Sequence, residues 1–329
     1  MAQIIPSIGD IMNSLSPCTV FWHRRWHDAL AVFERLQMNA ALPKSFDVAS
    51  FEVRGFDVAA FVAATLAEDL GTIGDITSAA VIPADARFTG VMDSRDPIVV
   101  AGLALAEAFF RALDPGVQLE RLVQDGQQVA AGTELLRFEG AGRAMLTAER
   151  SALNTVQHLS GIATMTRSYV HAIAGTGAIL LDTRKTIPGL RVLEKYATRM
   201  GGAQNHRMGL WDAAMIKDNH VAVAGGVAEA VRRARDAGIA QIIIEVDRID
   251  QIEPALRAGA TRLLLDNMPP ATLRDAIALV DGRVPTEASG GVTLDTIRAI
   301  AETGVTYVSV GRLTQSAPAA DIGLDFTTA

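Results

Sequence analysis

Residues 241–280 read QIIIEVDRIDQIEPALRAGATRLLLDNMPPATLRDAIALV, in which two short apolar runs each precede a longer stretch of helical character. Short, continuous apolar runs are typical of parallel strands that are buried on both faces. Strands that alternate with helices indicate an α/β fold around a parallel sheet. This segment therefore predicts two consecutive strand and helix units.

The same alternation continues on both sides of this segment. Further strand-like runs are AILLDTRK (178–185), AAMIKDNH (213–220), RVPTEASGG (283–291) and TYVSVGRLT (306–314). Helical stretches such as GGVAEAVRRARDAG (225–238) and TLDTIRAIAETG (293–304) separate them. Six strands are visible in all, and a seventh is left open.

Polar residues stand at the carboxyl end of each apolar run. They are Arg184-Lys185, Lys217 to His220, Glu245, Asp266-Asn267, Glu287 to Ser289 and Thr314. In an α/β barrel these strand ends converge on the catalytic face, whereas a doubly wound sheet would gather such groups in one crevice. Because six successive strands carry them, the pattern favours a closed or nearly closed barrel.

The chain before about residue 160 follows a different pattern. From Phe56 onward it mixes helical stretches with short alternating strands, and turn signals at Asp125-Gly126 and Gly132 separate hairpin strands. This half is predicted to be α+β. The first 40 residues have no clean period and lack the features of a secretory signal. Met38 is a plausible start, and we assign the segment before it no function.

Composition narrows the class of protein further. The formal net charge of -7 provides no global basic field of the kind that attracts nucleic acid, so any anion site must be local. No uncharged apolar stretch reaches the length of a membrane helix. The single cysteine, Cys18, excludes an intramolecular disulfide framework and fits a reducing compartment. We therefore expect a soluble, cytoplasmic globular protein.

Cations are concentrated between residues 182 and 220, where seven Lys or Arg residues face four acids. Arg184, Lys185 and Lys217 close buried strands, where an unpaired charge is costly, so an anion should meet them. Guanidinium groups suit carboxylates, which they bind through two parallel hydrogen bonds, and lysines suit phosphates. A second trio, spaced four residues apart, is interpreted instead as the solvated face of a basic helix: Arg191, Lys195 and Arg199.

Three further groups of residues complete the candidate site. His206 and Arg207 follow the Gly-rich loop RMGGAQN, which permits close approach of a ligand to the backbone, and His206 has no companion that would make it a metal ligand. Glu245 and Asp266 end consecutive strands and predict either pairing with Lys185 or Lys217 or the binding of Mg²⁺ together with substrate oxygens. The loops EASGGVT (287–293) and SVGRLTQS (309–316) are interpreted as phosphate-binding.

Taken together, these motifs resemble the quinolinate phosphoribosyltransferase family. The matching segments are EDLGTIGDITS (68–78), ERSALNTVQHLSGIAT (149–164), DTRKTIPGLR (182–191), KYATRMGGAQNHRMGLWDAAMIKDNH (195–220), IEVD (244–247), LLLDNM (263–268) and EASGGV (287–292). The resemblance covers about residues 68 to 316 and implies an N-terminal α/β sandwich followed by an open, seven-stranded α/β barrel. On this basis we expect an extension at 1–45, the sandwich at 46–160, the barrel at 161–313, and a segment at 314–329 that packs back on the sandwich.

The resemblance also implies an activity: transfer of a phosphoribosyl group to quinolinate with release of pyrophosphate and CO₂, with Mg²⁺ as cofactor. It implies a homodimer or a hexamer built from dimers, in which Arg150 reaches into the site of the neighbouring subunit. The substrate-binding residues implied are Thr183, Arg184, Lys185, His206, Arg207 and Lys217, with Ser289, Gly290, Gly291 and Gly311 at the phosphates. Lys185, Lys217, Glu245 and Asp266 are the catalytic residues implied. The two acids are also implied as substrate-binding residues at the ribose and as metal ligands.

Two alternatives remain open at this point. A paralogue with the same fold could use another substrate, as nicotinate phosphoribosyltransferase or the molybdenum-transport-associated relatives do. Nicotinate lacks the 2-carboxylate and would need fewer cations than this chain carries. The segment LVQDGQQVAAGTELLRFEG (122–140) also resembles a lipoyl or biotinyl carrier hairpin. Such a carrier needs a lysine at the hairpin tip, and the sequence has no lysine between Lys44 and Lys185.

Overall fold

The structure, a computed structural model, describes residues 56–328. The first part of this region contains α1 (Val58–Leu70), α2 (Ile76–Val81), β1 (Arg87–Ser94), β2 (Ile98–Val99), α3 (Leu103–Leu113), β3 (Gln118–Arg121), β4 (Gln128–Val129), β5 (Glu134–Ala141) and α4 (Gly142–Ala172). The predicted extension at 1–45 and the start at Met38 lie outside the described residues.

The rest of the chain alternates strands and helices as the sequence predicts. In order they are β6 (Ile179–Leu181), α5 (Arg191–Gly201), β7 (Ala214–Ile216), α6 (Asp218–Ala224), α7 (Val227–Asp236), β8 (Ile242–Val246), a 3₁₀ turn (Ile249–Gln251), α8 (Ile252–Ala258), β9 (Arg262–Asp266), α9 (Pro270–Val280), β10 (Thr286–Ser289), α10 (Leu294–Ala301), β11 (Tyr307–Ser309), α11 (Arg312–Gln315) and β12 (Ile322–Thr328). No helix within 56–328 is long and apolar enough to cross a membrane.

The N-terminal strands form an antiparallel sheet with the order β12-β1-β5-β3, packed on α3 and α4. Its core is aromatic: Phe110 and Phe138 stack with ring centroids 4.6 Å apart. Gly90 on β1 lies opposite Phe138 on β5, and a Cβ at Gly90 would lie 2.2 Å from that ring. Only glycine leaves room there for the aromatic side chain. The last strand, β12, pairs with β1 from Phe88–Thr328 to Ser94–Ile322, so the chain end returns to this sheet.

The second sheet is parallel throughout and has the order β6-β11-β10-β9-β8-β7. The expected seventh strand is not present as a strand among the described residues. Its place is taken by a single parallel bridge between Leu181 and Gln204. The backbone after Gln204 is held by side chains instead, since the amide of His206 donates to Asp182 Oδ1. This segment therefore leaves the ladder after one residue, and the sheet has six strands.

Side chains along the parallel strands alternate between two environments. On β9, Leu263 and Leu265 belong to the large core beneath the surrounding helices. Leu264, between them, belongs to a small separate cluster with Ala213 and Ile243. Because successive side chains of a strand point to opposite faces, this small cluster lies on the face of the sheet opposite the main core. The polar strand ends open on this face.

Candidate active site

A cavity of about 690 Å³ lies at the carboxyl ends of the parallel strands. Twelve of the thirteen site residues expected from the sequence line it. They are Thr183, Arg184 and Lys185 after β6, His206 and Arg207 in the loop after α5, Lys217 after β7, Glu245 and Asp266 on β8 and β9, and Ser289, Gly290, Gly291 and Gly311 near the ends of β10 and β11. The topology therefore brings together residues that are far apart in the sequence.

Arg150 is the thirteenth, and it lies elsewhere. It is an exposed residue of α4 and lines a separate cleft of about 430 Å³ together with Glu68, Asp69 and His158. Ile187, which also lines this cleft, is 46% exposed. Within one chain, the fold does not bring Arg150 to the cavity.

Two guanidinium groups in the cavity stand close enough to repel each other. Burial lowers the pKa of Arg207, and the charge of Arg184 lowers it further. The Nε atom of Arg184 is buried and has no hydrogen-bond partner within the described residues. Arg207 Nη1 donates to the carbonyl of Ala213 at 3.0 Å, which leaves its other donors available. Paired cations with unused donors make this part of the cavity a site for an anion.

The two acids of the site have different partners. Glu245 Oε2 accepts a hydrogen bond from Lys217 Nζ, one of the two lysines expected to pair with it. Asp266 accepts from Asn267 Nδ2 at 2.6 Å. Burial, and next the charge of Glu245, raise the pKa of Asp266. A cation between the two carboxylates would relieve this repulsion, and the oxygen donors match what Mg²⁺ prefers, so the residues fit that metal. No group of three or more His, Cys, Asp or Glu side chains forms a fuller metal cage among residues 56–328.

Glycines allow close contacts at the remaining side of the cavity. Gly290 has φ of 97°, and a Cβ on it would lie 2.1 Å from Asn267 Oδ1. A Cβ on Gly311 would lie 2.6 Å from Lys185 Cδ. Thr293 follows as the N-cap of α10, in a reciprocal capping arrangement with Thr296. The loop after β10 thus exposes backbone at a helix N-terminus, which is an arrangement suited to phosphate.

Sequence reasoning missed the buried network behind these cations. Asp182 is fully buried and accepts hydrogen bonds from Thr198 Oγ1 at 2.9 Å, from the amide of His206 at 2.8 Å, and from Lys195 Nζ. Lys195 Nζ also donates to the carbonyl of His206 at 2.9 Å. Burial lowers the pKa of Lys195, and Asp182 offsets this only in part. The interpretation of Lys195 as part of a solvated basic face is therefore wrong.

The other two cations of that helix are engaged locally. Arg191 donates from Nε to Thr186 Oγ1 at 3.1 Å and from Nη1 to the carbonyl of Met208 at 3.3 Å. Arg199 lies 5.8 Å from the centroid of the Tyr196 ring. Burial runs without a break from Leu193 through Thr198, so this helix is covered on more than its apolar face, and the helical period of its apolar residues did not reveal the buried lysine. The one signal available was Asp182, an acid directly after an apolar strand and beside the cations.

Glu287 is predicted from the sequence to stand at the end of a strand, but the sequence pattern assigns it no role. It is fully buried on β10, and its Oε2 accepts from His206 Nε2 and from Arg262 Nη1, both at 3.2 Å. Burial alone would raise the pKa of Glu287, but its interactions with His206, hydrogen bonding with Ser309 and the charge of Arg262 together outweigh burial and hold the pKa below its usual value. Arg262 also lies 4.4 Å from the centroid of the Tyr307 ring.

Comparison with known proteins identifies the family. The domain described as "Quinolinate phosphoribosyl transferase, N-terminal domain" matches residues 75–160, and "Quinolinate phosphoribosyl transferase, C-terminal domain" matches residues 162–325. The chain belongs to the quinolinate phosphoribosyltransferase family. The resemblance stated from the sequence motifs is confirmed.

Individual members of the quinolinate phosphoribosyltransferase family match most of the chain. The "Nicotinate-nucleotide pyrophosphorylase [carboxylating]" of Mycobacterium leprae is 46% identical over 269 residues, which cover 79% of this chain and 94% of that protein. A chloroplastic protein of the same name from rice is 40% identical and covers 83% of this chain and 78% of its own length. The solved nicotinate-nucleotide pyrophosphorylase of Francisella tularensis is 39% identical, with a TM-score of 0.79 over 82% of this chain and 96% of that one.

Proposed function

We propose that the protein is a decarboxylating quinolinate phosphoribosyltransferase, which joins quinolinate to phosphoribosyl pyrophosphate and releases nicotinate mononucleotide, pyrophosphate and CO₂. The observation that carries the proposal is the pair Arg184 and Arg207, two cations that repel each other in a cavity and keep unused donors. A planar molecule with two adjacent carboxylates supplies the anionic partners that both guanidinium groups need.

The remaining residues of the cavity fit the second substrate. Attack by the pyridine nitrogen on the anomeric carbon forms the new C–N bond and breaks the bond to pyrophosphate, so positive charge develops on the ribose. We assign Glu245 and Asp266 to the stabilisation of that charge. Mg²⁺ bound to these two acids and to substrate oxygens would neutralise the leaving pyrophosphate. Lys185 and Lys217 supply further positive charge to it. The loop at Ser289 to Gly291, together with Gly311, is assigned to the phosphates, and Thr183 to substrate contact.

Loss of CO₂ follows from the first step. Once the ring nitrogen carries the ribose, it is positively charged and can hold the electron pair left when the 2-carboxylate departs as CO₂. Carbon 2 then takes up a proton, and Lys185 and Lys217 are the ammonium groups of the cavity. The 3-carboxylate must stay bound meanwhile, a role we assign to Arg184 and Arg207, with His206 beside them and Arg150 from a second subunit.

The decisive experiment is an assay of the purified chain. With quinolinate, phosphoribosyl pyrophosphate and Mg²⁺, we expect release of CO₂ and pyrophosphate in equal amounts. Treatment with a chelator should reduce activity to background, and added Mg²⁺ should restore it, because the leaving group is otherwise uncompensated. Nicotinate in place of quinolinate is the matched control. Turnover of nicotinate without turnover of quinolinate would support the paralogue and reject the proposal.

We further propose that the active unit is a homodimer, alone or within a hexamer, with Arg150 completing the site of the partner subunit. Arg150 lies on an exposed cleft that also contains the apolar Ile187, outside the cavity of its own chain. A surface that combines the arginine proposed for the partner's site with exposed apolar area suits contact with a second copy of the chain.

Subunit mixing tests this arrangement. Arg150→Ala and Lys185→Ala should each be inactive as pure proteins. In a mixed dimer, one site combines both intact residues, so re-association of equal amounts should restore about a quarter of the wild-type activity. Mass spectrometry of differently tagged chains shows whether subunits have exchanged. If the subunits exchange but activity does not recover, Arg150 acts in the site of its own chain.

The finer points of architecture and location belong to the same proposal. We propose that the six parallel strands curve into an open barrel that forms the phosphoribosyltransferase domain at 161–313. The described parts of 46–160 and 314–329, residues 56–160 and 314–328, would then form one N-terminal α/β sandwich, an arrangement supported by the pairing of β12 with β1. We propose a cytoplasmic location.

A further inference from the structure

Two loops carry the paired guanidinium groups of the cavity. The first cation loop, residues 183–190 after β6, carries Arg184, and the second cation loop, residues 205–213 before β7, carries Arg207. The whole of α5 separates them in the sequence, so no short stretch of backbone fixes the distance between the two groups. Because Arg184 and Arg207 repel each other, the distance between the loops needs a separate support.

The guanidinium group of Arg191 donates to both cation loops. Its Nε donates to Thr186 Oγ1 in the first loop at 3.1 Å, and its Nη1 donates to the carbonyl of Met208 in the second loop at 3.3 Å. Thr186 directly follows Lys185, and Met208 directly follows Arg207. One side chain therefore fixes two points that each lie next to a cation of the cavity.

Each of these two points is also tied to its own loop. The amide of Thr186 donates to the carbonyl of Arg184 at 3.0 Å. The amide of Met208 donates to Asp212 Oδ2 at 2.7 Å. A displacement of Thr186 or Met208 would therefore move the backbone that carries Arg184 and Arg207.

A cation at position 191 is not explained by helix stability or by charge pairing. Arg191 is the first residue of α5, and the helix dipole disfavours a positive charge in the first turn. Burial, and to a smaller extent the charge of Arg191, lower the pKa of the neighbouring Lys195. Both acceptors of Arg191 are neutral groups, a hydroxyl and a carbonyl. What a guanidinium group provides here is a rigid, planar set of donors that can span two loops.

We infer that Arg191 is a positioning residue, which holds the two cation loops at the separation that lets Arg184 and Arg207 bind one planar dicarboxylate. Arg191 does not line the cavity, so it supplies geometry rather than a substrate contact. This replaces its interpretation as part of a solvated basic face. The inference rests on the proposed function for its kinetic test, whereas its exchange test needs no substrate.

Hydrogen–deuterium exchange of the full chain, measured by mass spectrometry, tests the bridge directly. We expect Arg191→Ala to speed exchange about tenfold or more in peptides from both cation loops, because Thr186 and Met208 lose their shared support. Arg199→Ala is the matched control, since Arg199 is an exposed cation of the same helix that lies over the Tyr196 ring. Faster exchange in only one loop, in neither loop, or equally in the control would overturn the inference.

Steady-state kinetics separate geometry from charge. Arg191→Lys keeps the positive charge but loses the planar set of donors, so we expect it and Arg191→Ala to raise the KM for quinolinate about tenfold or more. The KM for phosphoribosyl pyrophosphate should change less, because the loops assigned to the phosphates are not attached to Arg191. Arg199→Ala should stay within about threefold of the wild type in both values. A wild-type KM for quinolinate in Arg191→Lys would show that charge alone suffices, and would reject the inference.

Chemical rescue distinguishes positioning from a general loss of structure. Added methylguanidinium should lower the raised KM of Arg191→Ala, because it can occupy the space of the missing group, and should have no such effect on Arg191→Lys. No rescue, together with an equal rise of both KM values, would mark Arg191 as merely structural.

The unfolding temperature of Arg191→Ala should stay near that of the wild type, because a cation in the first turn does not stabilise the helix. If Arg191→Ala does not fold, Arg191→Lys takes its place in the exchange test, with the same result expected. If the wild type does not turn over quinolinate, the proposed function fails, and the exchange test still decides whether Arg191 couples the two loops.

Discussion

The two sheets of this protein differ in the kind of side chain that they bury. Between residues 56 and 160, where the antiparallel sheet packs on its helices, no charged side chain is buried, and the core consists of residues such as Phe109, Phe110 and Phe138. In the remainder of the described chain, the parallel sheet with its helices and loops buries five acidic, lysine or histidine side chains. They are Asp182, Glu194, Lys195, His206 and Glu287.

This difference separates two roles that packing can play. Apolar burial stabilises a fold in proportion to the area removed from water, but it does not fix the direction of a polar group. A buried ion pair contributes little net stability because desolvation offsets its attraction, yet its hydrogen bonds are directional. In this protein three of the buried groups, Asp182, Lys195 and Glu287, hydrogen-bond to His206, which lines the cavity beside Arg207, where direction matters.

The largest effect is expected when one partner of the buried pair is removed. Lys195→Met leaves Asp182 buried and uncompensated, and should lower the free energy of unfolding by about 3–5 kcal/mol. It should also abolish most activity, because the carbonyl of His206 loses its donor. Urea unfolding and the quinolinate assay measure the two effects.

A double variant sharpens the interpretation of that loss. Adding Asp182→Asn to Lys195→Met removes the buried charge while keeping an acceptor, so stability should recover in part and activity should not. Full recovery of activity in the double variant would show that the pair contributes nothing to the orientation of the loop.

A matching truncation in the N-terminal core should separate stability from activity. Phe138 stacks on Phe110 and meets Phe326 edge-on, with ring centroids 5.7 Å apart. Phe138→Ala should lower the free energy of unfolding by about 3–5 kcal/mol, comparable with Lys195→Met. The kcat per folded molecule should remain at the wild-type value. A fall in kcat at constant folded fraction would contradict the division of roles between the two interiors.

The smallest effect concerns a helix cap. Asp75 accepts from the amide of Ser78 and from Thr147 Oγ1, both at 2.9 Å, and hydrogen bonding at Ser78 lowers the pKa of Asp75. Asp75→Ala should cost about 1 kcal/mol at neutral pH. Because the pKa is lowered in the folded state, this contribution is present above the unfolded value and is lost as pH falls through the folded one. Denaturant unfolding across acidic pH, with Asp75→Asn as the control that keeps a cap, measures it.

The sequence predicted the parts of the site that depend on local pattern. Arg184, Lys185 and Lys217 stand directly after apolar runs, so their position at the mouth of the sheet follows from strand direction alone. Lys195 could not be placed in this way, because helix α5 buries polar residues as well as its apolar face, and the partner Asp182 follows a different element, β6.

Two other features could not be predicted from the sequence, for different reasons. The short bridge at Gln204 replaces a strand because side chains, rather than backbone pairing, hold the loop that follows. The role of Glu287 depends on three elements meeting inside the sheet, and no spacing in the sequence encodes their distance. The role proposed for Arg150 requires a second subunit, and only the family resemblance pointed to it.

The pairing of β12 with β1 has a consequence for how the protein is made. The ribosome synthesises β1 long before β12. The edge of β1 that pairs with β12 therefore keeps its amide and carbonyl groups unpaired while the whole parallel sheet is synthesised. Unpaired sheet edges are templates for aggregation, and pairing between distant parts of a chain is slow. The N-terminal sheet, first to emerge, is thus among the last parts of the molecule to be completed.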